Sequence, residues 1–164
     1  WRFGGMEFKE VNPDMFDECL SIIRESFKTV ADEFHLTKEN APTNPAFIGL
    51  DVLIGMYEKK IVMFAVMDNQ KYIGFVAIER ANDKTYYMEK LAVIPEYRHK
   101  GYGKAIMDFV VNHVKEKEGI KISIGIINEN TVLKSWYLNY GFVEYETKVF
   151  GHLPFTVCLM EKTI

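Results

Sequence analysis

Basic side chains and glycines crowd one short stretch of the chain, residues 98–104. In order they are Arg98, His99, Lys100, Gly101, Tyr102, Gly103 and Lys104. The stretch leads into a segment with helical periodicity, and a helix N-terminus attracts anions because its first N–H groups are unpaired and partly positive. Glycines let the main chain approach a phosphate, and Arg and Lys add charge-assisted hydrogen bonds. The stretch therefore predicts a site for a phosphate-bearing ligand.

Two common phosphate-binding loops fit this stretch poorly. A Walker A loop needs glycine at position 98 and Ser or Thr after its Gly-Lys pair, but Arg98 and Ala105 occupy these positions. A dinucleotide fingerprint needs Gly or Ala at position 106, where Ile106 stands. No array of parallel β-α units surrounds the stretch either. The ligand is therefore expected to be of another phosphate-bearing class.

The elements beside the turn must position it. Residues 85–93 form a β-rich run before the turn, and residues 120–127 form a second apolar β-run after it. The helix between them has one apolar face, made of Ile106, Phe109, Val110 and Val114. A further helix is predicted over residues 131–140, where Gly141 ends it. We expect the β-α-β unit to be parallel and right-handed.

Local patterns predict the other elements. Strands are expected at residues 6–11, 61–67, 72–79, 142–150 and 155–160, and helices over 13–30 and 47–57. Asn12 and Pro13 give the first helix an N-cap and a first-turn proline. The short turns between the three middle strands imply antiparallel hairpins. The predicted fold class is therefore α/β (α+β), a mixed, largely antiparallel sheet flanked by helices in the order β-α-α-β-β-β-α-β-α-β-β.

A single domain is expected over residues 6–164, as suits a chain of 164 residues. Residues 1–5 precede Met6, and we expect them to be an added remnant outside that domain.

Two separate segments resemble the GNAT superfamily of N-acetyltransferases. The pattern Arg98-x-x-Gly101-x-Gly103 is similar to the family signature Gln/Arg-x-x-Gly-x-Gly/Ala. Farther along, Asn130, Tyr137 and the pair Gly141-Phe142 resemble the family's Asn-x6-Tyr-x3-Gly-Phe segment. The resemblance covers residues 60–160 well, whereas the first 60 residues match only in their strand-helix-helix order.

The resemblance implies acetyl-coenzyme A as cosubstrate. Its pantetheine arm would pair with the backbone of Leu91, Ala92 and Val93, which replaces a neighbouring strand. A bulge is expected in this strand, and the strand should splay away from the run at residues 120–127. The diphosphate would be held by Arg98, His99, Lys100, Gly101, Tyr102, Gly103 and Lys104. Asn130 would either contact the cofactor or cap the helix that follows it.

The catalytic predictions concern Tyr137 and Glu89. The resemblance implies Tyr137 as general acid toward the departing thiolate, although a tyrosine packed on the sheet is the alternative. Glu89 is the candidate general base, and alternation places it on the same face as Leu91. It could equally pair with a neighbouring cation. Glu79 and His152 are reserve candidates for the base.

Composition argues against several other classes of protein. The chain is 48% apolar, which suits a packed core rather than disorder, and its net charge of -3 gives no reason to expect nucleic acid as a partner. No apolar run reaches the ~18 residues that span a bilayer, so no membrane partner is expected. Two distant cysteines, Cys19 and Cys158, favour a reducing, cytoplasmic setting. The scattered histidines show no metal-ligand spacing, so no metal is expected.

The sequence thus predicts an N-acetyltransferase that acts on a primary amine by direct attack on acetyl-coenzyme A. The acceptor could be a small-molecule amine, a protein N-terminus or a lysine. Two alternatives stay open: a non-catalytic module that senses acyl-coenzyme A, and a binder of another nucleotide phosphate. A homodimer through the last strands is also conceivable.

Overall fold

The computed structural model describes residues 2–3 and 5–164. The prediction that residues 1–5 are an added remnant involves Trp1 and Gly4, which lie outside the described residues. Arg2–Phe3 forms a short strand, β1, opposite Met6 and Glu7. The origin of these first residues stays a prediction.

From Met6 onward the elements follow the predicted order. The strands are β2 (Met6–Glu10), β3 (Val62–Asp68), β4 (Lys71–Arg80), β5 (Thr85–Val93), β6 (Lys121–Ile127), β7 (Val143–Val149) and β8 (Thr156–Thr163). The helices are α1 (Phe16–Glu33), α2 (Leu50–Glu58), α3 (Tyr102–Glu116) and α4 (Thr131–Tyr140). All strands join one sheet in the spatial order β1-β2-β3-β4-β5-β6-β8-β7. The predicted fold class is confirmed.

Two helix starts differ in detail from their predictions. Asn12 accepts a hydrogen bond from the Asp14 N–H at 2.9 Å, as predicted for a cap, but the first turn (Pro13–Met15) is a 3₁₀ turn before α1. Helix α2 begins three residues later than predicted. The cause is Asn44, whose side chain and carbonyl accept the N–H groups of Ala46 and Phe47 and so hold a turn there.

Helices cover the two faces of the sheet unequally. Helix α3 lies on the face of Gly74, because a Cβ added there would sit 3.5 Å from the Ile106 side chain. Helix α4 packs on α3, where the Tyr140 hydroxyl donates to Asp108 at 2.6 Å. Helix α1 covers the opposite face of β4 and β5, and α2 packs against α1. The end of α1 and the loop after it also reach β6 on this face, where Ile127 packs against Ala31, Leu36 and Ala41.

The parallel pair β5–β6 is short and then opens. Only Thr85, Tyr86 and Tyr87 of β5 pair with β6, although both strands continue beyond this point. Strand β6 pairs instead with β8 along its whole length. The predicted parallel β-α-β unit and the predicted splay of its two strands are therefore confirmed.

A bulge interrupts β5 just beyond the last pairs with β6. The register with β4 moves from Ala77 opposite Glu89 to Phe75 opposite Ala92, so β5 contains one extra residue there. Lys90 has a positive φ of 53°, which marks the position of the bulge. The predicted bulge is thus observed. No helix in the described part of the chain is both long and apolar enough to cross a membrane.

Candidate active site at the splayed strands

A row of main-chain amides at residues 99–104 faces away from the protein's own acceptors. Within the described chain, no N–H from His99 to Lys104 donates to a protein acceptor, and the first that does belongs to Ala105. Left-handed residues shape this loop, with φ of 60° at His99 and 88° at Gly101. Successive amides in such conformations form a concave anion site, which the N-terminus of α3 extends.

The two glycines of this loop differ in whether the backbone requires a glycine at that position. Gly101 occupies a left-handed conformation that side chains disfavour, and it is the residue from which α3 starts. Gly103 has no positive φ, but a Cβ there would lie 3.4 Å from a ring carbon of Trp136 in α4. Gly101 therefore permits the turn, whereas a Cβ at position 103 would make only an ordinary van der Waals contact with α4.

The basic side chains beside the loop are mostly engaged with neighbours. Lys104 pairs with Asp108, one turn along α3, at 2.9 Å. Lys100 places its ammonium 5.7 Å from the centre of the Tyr97 ring. The Tyr102 hydroxyl donates to Asp68 of β3 at 3.2 Å, a contact that sequence patterns did not predict. Both lysines remain close enough to add positive charge around the amides.

Arg98 does not point its guanidinium toward the amide row, contrary to the side-chain role predicted for it. Its Nε donates to the Val93 carbonyl at 3.0 Å, and one terminal nitrogen donates to the Thr29 hydroxyl at 2.8 Å. The other terminal nitrogen donates to the Ser26 carbonyl. The guanidinium thus joins the end of β5 to α1. Burial lowers the pKa of Arg98, which still keeps its charge at neutral pH.

The backbone of Leu91, Ala92 and Val93 lines the open cleft. These residues follow the bulge, and their edge of β5 has no strand partner on the β6 side. Main-chain groups on such an edge can pair with an extended, amide-bearing ligand. The cleft begins where the parallel pairing of β5 with β6 stops. It ends at the amide row, which the loop at residues 94–101 connects to the end of β5.

The bulge also changes where Glu89 points. Register places Glu89 and Ala92 on one face of β5, because their partners Ala77 and Phe75 share a face of β4. The predicted common face of Glu89 and Leu91 is therefore wrong, since the extra residue breaks the alternation. Glu89 instead faces the side of the sheet that α1 and α2 cover, beyond the bulge.

A second carboxyl group, that of Glu79, lies beside Glu89. Glu79 is opposite Tyr87, one step diagonally from Glu89 on the same face. Burial raises the pKa of Glu89, and hydrogen bonding and repulsion from Glu79 raise it further, while Lys90 acts in the opposite direction. The Lys90 ammonium lies 3.8 Å from Glu89. The neighbouring Glu79 carboxyl therefore favours the protonated form of Glu89.

Tyr137 lies inside an aromatic cluster at the base of α4. Its side chain is only 5% exposed, and its ring packs edge-on against Trp136 at 5.0 Å and Phe142 at 5.3 Å. Burial raises the pKa of Tyr137, so the phenol keeps its proton at neutral pH. No described residue hydrogen-bonds its hydroxyl. The ring is packed as the alternative predicted, and no described residue uses its phenol proton.

Two further predicted positions have local roles in the structure. Asn130 accepts a hydrogen bond from the Leu133 N–H at 3.2 Å and caps α4, which supports the second of the two roles considered for it. His152, a reserve base, is exposed in the loop between β7 and β8, with its ring 5.8 Å from that of Phe150. Among the described residues, no group of three or more His, Cys, Asp or Glu side chains is placed to hold a metal ion.

A partly exposed region of β5, β6 and β7 borders the two carboxyl groups. Tyr87 lies opposite Ser123 of β6, and the Tyr145 hydroxyl of β7 lies 3.3 Å from the Ser123 hydroxyl. Both tyrosines are about half exposed, at 44% and 47%. Gly125, one step along β6, leaves its part of the surface without a side chain. The cleft therefore opens from Glu89 onto a polar, aromatic floor.

Comparison with known proteins places this geometry in a known family. The family model described as the acetyltransferase (GNAT) domain matches residues 59–144, which is more than half of the chain. A curated Bacillus subtilis protein, UPF0157 protein YqkA, is 33% identical over 81 residues. That match covers 48% of this chain and only 22% of the relative's length.

Solved structures with the same fold align over nearly the whole chain. The ribosomal-protein-S18-alanine N-acetyltransferase from Escherichia coli has a TM-score of 0.76 at 13% identity and covers 97% of this chain and 94% of its own. The PaiA N-acetyltransferase of Thermoplasma acidophilum, solved with coenzyme A, has a TM-score of 0.75 at 19% identity, covering 97% and 99%. An Elizabethkingia anophelis GNAT acetyltransferase with acetyl-coenzyme A bound has a TM-score of 0.68 at 16% identity, covering 98% and 99%. At these identities the likeness concerns the fold.

Proposed function

Because the chain belongs to the acetyltransferase (GNAT) domain family, we propose that it transfers an acetyl group from acetyl-coenzyme A to a primary amine. The observation that carries this proposal is the row of unpaired amides from His99 to Lys104 beside the unpaired edge of β5. The first feature suits a diphosphate and the second suits a pantetheine arm, so together they match the two ends of one acyl carrier.

Each end of this carrier has protein groups to hold it. The amides of residues 99–104 donate to the diphosphate oxygens, with Lys100 and Lys104 adding positive charge. Main-chain groups of Leu91, Ala92 and Val93 pair with the pantetheine amides, apart from the Val93 carbonyl, which Arg98 holds. A groove of about 460 Å³ runs between α3 and α4 next to Lys104 and Trp136, and it offers space for the nucleotide end.

The chemical step needs a base, an oxyanion donor and an acid. Glu89 takes the proton that the acceptor ammonium must lose, directly or through a water molecule. The amine nitrogen then bonds to the thioester carbon, and an N–H of the bulge in β5 stabilises the oxyanion. As the carbon–sulfur bond breaks, Tyr137 donates a hydrogen bond or proton to the thiolate. The products are an N-acetylated amine and coenzyme A.

The acceptor enters from the face that carries Glu89. The half-exposed side chains of Tyr87 and Tyr145 border this entrance, so the acceptor contacts hydroxyl and aromatic groups beyond its amine. Both a small amine and a protein N-terminus or lysine are consistent with an entrance of this kind. Holding the amine and the thioester in one cleft supplies much of the rate.

The test measures binding and turnover for the wild type and for two variants. One variant is expected to lower kcat, and the other is expected to lower the affinity for acetyl-coenzyme A. Wild-type protein should bind acetyl-coenzyme A in isothermal titration and release free thiol in the presence of an amine from a panel of acceptors. Tyr137→Phe should lower kcat by about 10–100-fold with little change in affinity, because only leaving-group assistance is lost. Gly101→Val should weaken binding instead, because valine strains the positive φ that shapes the amide row.

A matched control is available in Gly151→Val. Gly151 has open space around it and no positive φ, so this variant should resemble the wild type in both assays. Binding without thiol release for every amine tested would favour a non-catalytic acyl-coenzyme A sensor. Unchanged affinity in Gly101→Val would contradict the assignment of the diphosphate to this loop.

A further inference from the structure

The guanidinium of Arg98 connects three parts of the proposed site at one point. Arg98 immediately precedes the amide row. Its Nε donates a hydrogen bond to the carbonyl of Val93, the last residue of β5. Its terminal nitrogens hold the Thr29 hydroxyl and the Ser26 carbonyl of α1. These partners are 69 and 72 residues away in the sequence, so the contact joins distant segments.

We propose that Arg98 is a positioning residue that sets the distance between the thioester-bearing strand and α1, which covers the acceptor side of the sheet. The inference rests on the proposed acetyl transfer but assigns Arg98 a role distinct from binding phosphate. Helix α1 lies on the face of Glu89, and the segment after it leads to α2 and Lys59, whose charge acts on Glu89. A shift of α1 therefore alters the acceptor side while leaving the amide row in place.

The chemistry of the contact explains why arginine is suited to this position. The planar guanidinium presents several donors in a rigid fork, so it can serve three acceptors in fixed directions. Lysine keeps the charge but offers a single flexible nitrogen, which cannot reach the carbonyl of Val93 and both acceptors in α1 together. Two of its three hydrogen bonds, to the carbonyls of Val93 and Ser26, are partly buried, which limits their screening by water.

Thr29 provides a second position at which to test the same contact. Its hydroxyl accepts from Arg98 and also donates to the Ser26 carbonyl at 3.2 Å, so one exposed side chain completes the arrangement. Thr29→Val removes the hydroxyl at nearly constant shape. Thr29 belongs to α1 rather than to the loop of residues 99–104, so this variant weakens the contact from the α1 side and leaves Arg98 itself unchanged.

The experiment measures turnover and cofactor affinity for Arg98→Lys, Thr29→Val and the double variant. At saturating acetyl-coenzyme A, Arg98→Lys should lower kcat/KM for the acceptor by about 10–100-fold, because misplacement near 1 Å has effects of this size. The dissociation constant for acetyl-coenzyme A should change by less than about threefold, as expected for loss of a contact outside the phosphate site. Thr29→Val should act in the same direction, and the double variant should be no worse than Arg98→Lys alone.

Arg80→Lys is the matched control, because Arg80 is exposed and, among the described residues, pairs only with Asp83 near the β4–β5 turn. It should leave both constants unchanged. Three results would each overturn the proposal: a large loss of acetyl-coenzyme A affinity in Arg98→Lys with normal acceptor kinetics, a silent Thr29→Val, or additive effects in the double variant.

A readout without turnover separates this inference from the proposed reaction. In hydrogen–deuterium exchange of the unliganded protein, the α1 amides around residues 26–33 should exchange faster in both Arg98→Lys and Thr29→Val than in the wild type. Failure to acetylate any amine would contradict the proposed function but would leave this result intact. Unchanged exchange in α1 would contradict the positioning role, whatever the activity.

Discussion

Glu89 shares its surroundings with a second carboxyl group, and this decides how it should titrate. Burial is the largest cause that raises its pKa, and Glu79 adds to it, while Lys90 and Lys59 partly oppose it. A carboxylate with a raised pKa is a stronger base when deprotonated, which suits removal of a proton from an ammonium. The proposed base is therefore active only above this raised pKa.

The pH dependence of kcat/KM should follow from these neighbours. Activity is lost as the pH falls through the pKa of Glu89, so the acid limb lies above the range of an ordinary glutamate. Glu79→Gln should move this limb to lower pH, because one cause of the raised pKa is gone. Lys90→Met should move it to higher pH, because an opposing charge is removed. A profile that neither variant moves would show that Glu89 is not the base.

At the scale of elements, the two helix N-termini near the cleft differ in how their first amides are used. Helix α3 starts from Gly101 without a side-chain cap, so its first amides stay unpaired. Helix α4 starts from Asn130, whose side chain accepts the Leu133 N–H. A capped terminus has fewer donors to offer a ligand. The structure thus favours α3 as the anion-binding terminus.

The capping role of Asn130 gives a stability prediction. Asn130→Ala should lower the free energy of unfolding by about 1 kcal/mol, as expected for loss of an N-cap. Asn130→Asp should restore most of it, because aspartate caps equally well. Both variants should bind acetyl-coenzyme A nearly as the wild type does. Chemical denaturation and titration calorimetry check these values, and an affinity loss shared by both variants would instead indicate direct contact with the ligand.

At the scale of the whole molecule, the proposed ligand contacts elements that lie far apart in the sequence. The amide row belongs to the start of α3, the unpaired edge belongs to β5, and Tyr137 belongs to α4. Arg98 then links this region to α1. A ligand that contacts several elements only in the native state stabilises that state by mass action.

The melting temperature should therefore rise with acetyl-coenzyme A. At 100 times the dissociation constant the gain is about 2.7 kcal/mol, which corresponds to roughly 5–10 °C for a domain of this size. ATP and NAD should produce little change at equal concentration, because they lack the pantetheine arm that pairs with β5. Equal shifts with ATP would support the reading of the loop as a site for another nucleotide phosphate.

Much of the architecture followed from local patterns in the sequence. Strand β5 and helix α4 have the predicted bounds, and Gly141 ends α4 with a φ of 120°. Apolar periodicity, caps and glycines act over a few residues, so they can be interpreted without knowledge of the fold. The position of the amide row was predictable for the same reason, because two glycines and the start of a helix adjoin it.

Contacts between distant segments were decided only by the tertiary structure. The face of Glu89 depends on one extra residue in β5, and this bulge is defined by the register with β4 rather than by β5 alone. The guanidinium of Arg98 reaches α1 because folding brings residue 98 next to residues 26 and 29, and no local pattern records that approach. The sequence by itself determined which elements form and where the anion site starts. The packing of those elements determined which side chains remain free to act there. Some polar groups form hydrogen bonds within the folded protein, and the sequence does not show which ones do.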